Sequence, residues 1–161
     1  MNNFNNQGIS DELGDYFSSG RITKVIDSGP LEEALSKRFP FCLNRVDWNK
    51  IPEHAYRAAE SKADDGNESP EAYFERCAPI IRSFILDALG SAGAGEQDRL
   101  FWLGDATDFA LEMRGETLVE VCSILFSYPQ HNYIIPQNGA WCISYTMEDE
   151  LYFGFAVREI T

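Results

Sequence analysis

This chain has little of the chemistry that catalysis and metal binding draw on. It holds two histidines, His54 and His131, and neither has a second ligand at a metal-binding spacing, so no metal site is expected. Its four cysteines, Cys42, Cys77, Cys122 and Cys142, form no C-x-x-C pair. Each sits among apolar neighbours, which predicts buried, reduced thiols. There is no G-x-S-x-G, no P-loop and no G-x-G-x-x-G; Gly93-Ala94-Gly95 lacks both the preceding strand and the trailing glycine. No cofactor is expected either. No apolar stretch approaches the ~20 residues that cross a bilayer. The opening MNNFNNQGISDELGDYF lacks the positive and apolar regions of a signal peptide. These absences predict a soluble, cytoplasmic protein with no membrane partner.

Acid is what the chain has in excess, and lysine disappears after Lys62. The formal net charge is −13. Residues 96–161 carry eleven Asp/Glu against three Arg, a net of −8, and residues 1–95 carry fifteen acids against ten bases, a net of −5. Such a field repels nucleic acid and attracts basic proteins over about a Debye length, ~8 Å at physiological salt. Ordinary acidic solubility would produce the same charge. A 44% hydrophobic share with 13% aromatic residues argues for a real core and against a disordered acidic chain. The length fits one domain over residues 1–161.

The Asn-rich start to Gly8 reads as mobile. Ser28-Gly29-Pro30 opens a helix, with Glu32 and Glu33 at its positive end and Lys37 and Arg38 at its negative end; Phe39-Pro40 stops it. A second helix is predicted from Pro52 to about Lys62, followed by a loop at Asp64–Asn67. Ser69-Pro70-Glu71 starts a long helix in which Tyr73, Phe74, Cys77, Ile80, Ile81, Phe84, Ile85 and Leu89 make one apolar face. Pro79 falls off that stripe, Gly90 is the expected end, and residues 91–95 form an internal loop. Thereafter the period shortens. Residues 99–103 form an apolar strand, and Phe109, Leu111 and Met113 alternate with Asp108 and Glu112. Thr117 and Glu120 fit a capping box for a helix through Phe126.

Residues 131–157 read as two tight hairpins. Asn138-Gly139 predicts a type I′ turn between His131–Pro136 and Trp141–Met147. Trp141, Ile143 and Tyr145 should share one face and Cys142, Ser144 and Thr146 the other. In the last strand Leu151, Phe153, Phe155 and Val157 alternate with Tyr152, Gly154 and Ala156. The prediction is an α+β domain, a C-terminal antiparallel meander packed with helices mainly from the N-terminal half.

The candidate functional residues are Asp105, Asp108, Glu148, Asp149, Glu150 and Tyr152. Three consecutive acids at a hairpin turn would present carboxylates on a stiff platform, or would simply be a solvated tip. Tyr152, one step out of phase with the apolar face, would face outward as an interface anchor. Two catalytic arrangements compete. A pair from Asp105, Asp108 and Glu112 would offer acid–base chemistry, and Cys142 or Cys122 with His131 would offer a nucleophile and base. Solvated carboxylates and buried thiols are the simpler readings.

The pattern Tyr128-Pro129-Gln130-His131-Asn132-Tyr133, Asn138-Gly139-Ala140-Trp141-Cys142 and Tyr145-Thr146-Met147-Glu148-Asp149-Glu150-Leu151-Tyr152-Phe153-Gly154 resembles bacterial immunity proteins of contact-dependent growth inhibition systems. Phe101-Trp102-Leu103-Gly104-Asp105 is similar to that group too, so the likeness covers roughly the last 60 residues. The resemblance implies a non-enzymatic cytoplasmic inhibitor that binds one cognate toxin domain. Toxins of such systems are often basic nucleases, including tRNA-cleaving ones. A small hydrolase or transferase, and an adaptor for a basic cellular protein, are the competing functions.

Overall fold

The computed structural model describes residues 3–59 and 69–157. Its helices are α1 (Phe4–Glu12), α2 (Gly14–Ser18), α3 (Gly29–Arg38), α4 (Pro70–Ala92) and α5 (Gly115–Leu125). Its strands are β1 (Ile22–Val25), β2 (Phe41–Cys42), β3 (Arg45–Val46), β4 (Ala55–Ala58), β5 (Arg99–Gly104), β6 (Ala110–Arg114), β7 (Asn132–Ile135), β8 (Trp141–Tyr145) and β9 (Glu150–Phe155). The fold is α+β. Seven strands make one antiparallel sheet in the order β1-β6-β5-β7-β8-β9-β4, and β2 and β3 form a separate hairpin. None of the described helices is long and apolar enough to cross a membrane.

Strand alternation sends the sheet's side chains into two cores. Trp102, Leu111, Ile134, Ile143 and Leu151 pack on one face with Ile81, Ile85, Val121 and Leu125 of α4 and α5, and with Ile9 of α1. Phe101, Leu103, Tyr133, Ile135 and Cys142 fill the other, under Leu31, Leu35 and Phe39 of α3 and its C-terminal end, and Val46, Trp48 and Ile51. Each fully buried large aliphatic contributes about 1.5–3 kcal/mol. Because both faces are covered, every residue of β7 and β8 is buried. A buried amide in the middle is satisfied. Asn132 accepts from Trp102 Nε1 at 3.0 Å and donates to the carbonyls of Gln130 and Tyr145, tying β5, β7 and β8 in register.

The C-terminal meander, the face assignments within β8 and β9, the placement of α3 and the start of α4 at Ser69 agree with the sequence reading. Several local expectations do not hold. Residues 4–8 are helical, because the Asn3 side chain caps α1 through the Asn5 and Asn6 N–H groups. The predicted helix at 52–62 is, through its described residues, a turn and strand β4. Glu53 adopts a left-handed φ of 59°, and Ala55–Ala58 pair with Glu150–Phe153, covering an edge of β9 that would otherwise lie open; the predicted loop at 64–67 lies outside the described residues. α4 runs past Gly90 and ends at Gly93, whose φ of 69° suits a left-handed cap.

Thr117 is not a cap but a buried residue inside α5. That helix starts earlier because the Gly115 and Glu116 N–H groups find the carbonyls of Asp98 and Glu96. At Asn138-Gly139 only the glycine has positive φ, so the turn is not type I′. Gly139 N–H closes on Pro136 O, and Asn138 Oδ1 accepts from Ala140 N–H. Cys77, Cys122 and Cys142 are buried free thiols, whereas Cys42 is exposed. Phe155, expected in the core, is exposed at the far end of β9.

Candidate functional site

Antiparallel pairing gathers the ends of several elements at one edge of the sheet. Gly104 of β5 lies opposite Asn132 of β7, and Asn132 lies opposite Tyr145 of β8, so residues just beyond each become neighbours. Asp105 accepts from His131 N–H at 2.9 Å, and His131 Nδ1 accepts from Met147 N–H at 3.3 Å. Asp105, His131 and the β8–β9 turn are thus one connected surface. Asp108, at the same end, accepts from Asn6 Nδ2 at 2.8 Å. Glu148 is exposed and pairs with Arg45 at 3.2 Å. Partial burial pushes its carboxyl upward, but backbone N–H, Thr146 and Arg45 outweigh this and hold it below the usual range.

The other three candidates are partly buried and engaged with side chains of the same chain. Asp149 takes a left-handed φ of 59° and turns inward, accepting from Tyr145 Oη at 2.5 Å and Tyr73 Oη at 2.7 Å. Glu150 accepts from Tyr152 Oη at 3.3 Å, and its N–H donates to Thr146 Oγ1. Tyr152 is half-buried, stacked on Trp48 with ring centroids 5.2 Å apart and planes 8° from parallel, and flanked by Tyr56 and His54. Three consecutive acids therefore split, one outward and two committed to tyrosines. The turn forces this, since its left-handed residue redirects the chain between Glu148 and Glu150.

A feature absent from the sequence reading completes this end. The β2–β3 hairpin has a two-residue loop, Leu43-Asn44, between the paired Cys42 and Arg45. Leu43 has φ +56° and Asn44 does not share the positive sign, the pattern of a type II′ turn whose first position belongs to glycine. Yet the residue is leucine and is 93% exposed. The left-handed conformation costs a non-glycine residue about 1–2 kcal/mol, and no packing offsets it. Leu43 overhangs a cavity of about 500 Å³ lined also by Glu32, Glu33, Asp105 and Tyr133. Without glycine in Cys42-Leu43-Asn44-Arg45, nothing local announced a hairpin there.

Cys142 is fully buried, its thiol pushed up by burial, and it donates to its neighbour's carbonyl. His131 lies level with Thr146, four residues along β8 from Cys142, or ~13 Å at the rise of a strand. The two form no dyad. Burial pushes the Cys122 thiol up to about 11, and it donates to Val119 O. Asp105, Asp108 and Glu112 are each engaged separately, Glu112 with Arg99 at 2.6 Å. Among the described residues no group of three or more His, Cys, Asp or Glu is placed to hold a metal ion.

Comparison of the chain with models of protein families, with characterised proteins and with solved structures returned no match.

Proposed function

We propose that this chain is an immunity protein, which binds a cognate basic toxin domain of RNase type and masks its active site or substrate-binding surface. Leu43 is the observation that carries this reading. A leucine held in a glycine conformation and open to water weakens the free protein, and strain of this kind is retained where a site uses it. Around it stand Glu32, Glu33 and Asp105, with Glu148 and the exposed Met147 further along the same end. An apolar anchor rimmed by carboxylates complements a cationic cleft. The acids would speed encounter and pair with the Lys/Arg that otherwise hold phosphates, while Leu43 supplies desolvated contact.

Co-expression with the toxin domain and measurement of growth rescue and binding tests the proposal. Leu43→Gly should stabilise the free protein by about 1 kcal/mol through relief of the turn and weaken binding about tenfold or more. Asp105→Lys and Glu148→Lys should slow association and flatten its salt dependence. Full rescue by all three variants with unchanged affinity would sink this docking surface.

A further inference from the structure

We propose that the cavity at the start of β1, the end of β6 and the first turn of α5 binds an oxyanion, the phosphate group of a small ligand or free phosphate. The chain has thirteen bases against twenty-six acids, yet three arginines meet here: Arg21, Arg99 and Arg114 line one cavity of about 280 Å³. Strand register brings them together. Arg114 lies directly opposite Arg99 across β5 and β6, and since Ile22 lies opposite Met113, Arg21 falls level with Arg114. Like charges directly opposite one another destabilise an antiparallel pair.

Their neutralisation is incomplete. Arg99 pairs with Glu112 at 2.6 Å and Arg21 with Glu120 at 2.7 Å. Arg114 has no carboxylate within ion-pair distance among the described residues and donates to the neutral Gln97 Oε1 at 2.8 Å. Glu112 and Glu116 also line the cavity and Glu120 holds Arg21, so the three arginines meet three carboxylates, and Arg114 is the one whose hydrogen-bond partner is neutral. Thr117, buried on the same wall, accepts from Arg21 at 3.5 Å. Guanidinium groups pair two N–H bonds at a time with phosphate oxygens, so a tetrahedral oxyanion would give Arg114 the anionic partner it lacks, with Arg21 and Arg99 on the same wall. This cavity lies at the opposite end of β5 and β6 from Asp105 and does not depend on the docking proposal.

Calorimetric titration and thermal melting of the full chain test it, with inorganic phosphate and ribose 5-phosphate as probes and chloride at matched ionic strength as control. Saturable binding with a raised Tm is expected. Tighter ribose 5-phosphate assigns the site to a phosphorylated metabolite, and tighter inorganic phosphate to the free ion. Arg114→Gln should weaken binding about tenfold or more, while the ligand-free Tm stays equal or rises as repulsion is relieved. Should that variant not fold, Arg114→Lys, which keeps the charge and loses the fork, should weaken binding in the same direction. No saturable binding of either probe, or unchanged affinity in the folded variant, overturns the proposal.

Discussion

Asp149 illustrates how a single side chain departs from its sequence context. Between Glu148 and Glu150 it looks like one more exposed acid, yet it accepts from two tyrosine hydroxyls and holds a left-handed backbone that Asp and Asn tolerate. Asp149→Ala should cost about 2–4 kcal/mol, from two lost hydrogen bonds to a charged group plus turn strain. Asp149→Asn, which keeps the turn and an acceptor, should cost less; urea unfolding reads both. The tyrosines carry a second consequence. Burial first, then Asp149, pushes Tyr145 and Tyr73 upward, and burial with Glu150 pushes Tyr152 up to about 12. Their contribution is intact below the unfolded value of about 10. As pH rises above it, the unfolded chain releases protons that the folded chain retains, and stability falls until the folded values are passed. Tyr145→Phe should flatten that alkaline decline by up to about 1.4 kcal/mol per pH unit, measured by denaturation at a series of pH values. An unaltered slope would mean Tyr145 titrates as it does in the unfolded chain.

Two helical glycines test how elements are seated. A Cβ on Gly90 in α4 would meet nothing within 4 Å, whereas one on Gly8 in α1 would lie 2.5 Å from the Tyr128 ring, whose hydroxyl is bonded to Glu12. Gly90→Ala should therefore stabilise by about 0.5–1 kcal/mol through helix propensity, and Gly8→Ala should destabilise by about 1–3 kcal/mol through overpacking. Thermal melts showing the same sign for both would refute this seating of α1 on Tyr128. Helices were legible where their own residues stop and start them, as in α4, with Ser69 as cap and an apolar stripe from Cys77 to Leu89. α5 was misread at its start because its N–H acceptors, Glu96 and Asp98, lie in a loop on the far side of two strands. β4 was misread because Ala-Tyr-Arg-Ala has no strand preference of its own; the open edge of β9 makes it one.

Charge acts over the full chain. Screening the −13 field by raising ionic strength from about 0.01 M, Debye length ~30 Å, to about 0.15 M, ~8 Å, should raise the Tm of the free protein. A Tm that falls instead would mean ion pairs such as Arg21–Glu120 and Arg99–Glu112 outweigh self-repulsion. What residues 131–157 settled alone is the alternation of β8 and β9 and hence which side chains share a face, because a period of two is a local property. The acid excess and the want of a local catalytic motif were equally legible. The candidate site was legible only in part. Asp105, Asp108 and Glu148 stand at the exposed end, but Tyr152 is stacked on Trp48, a partner 104 positions away. Leu43, the three-arginine cavity and the covering of both sheet faces arise only when remote segments meet. Each depends on which neighbour occupies the adjoining register, and strand pairing between distant segments is decided by burial and hydrogen bonding summed over the fold, not by any short stretch within it.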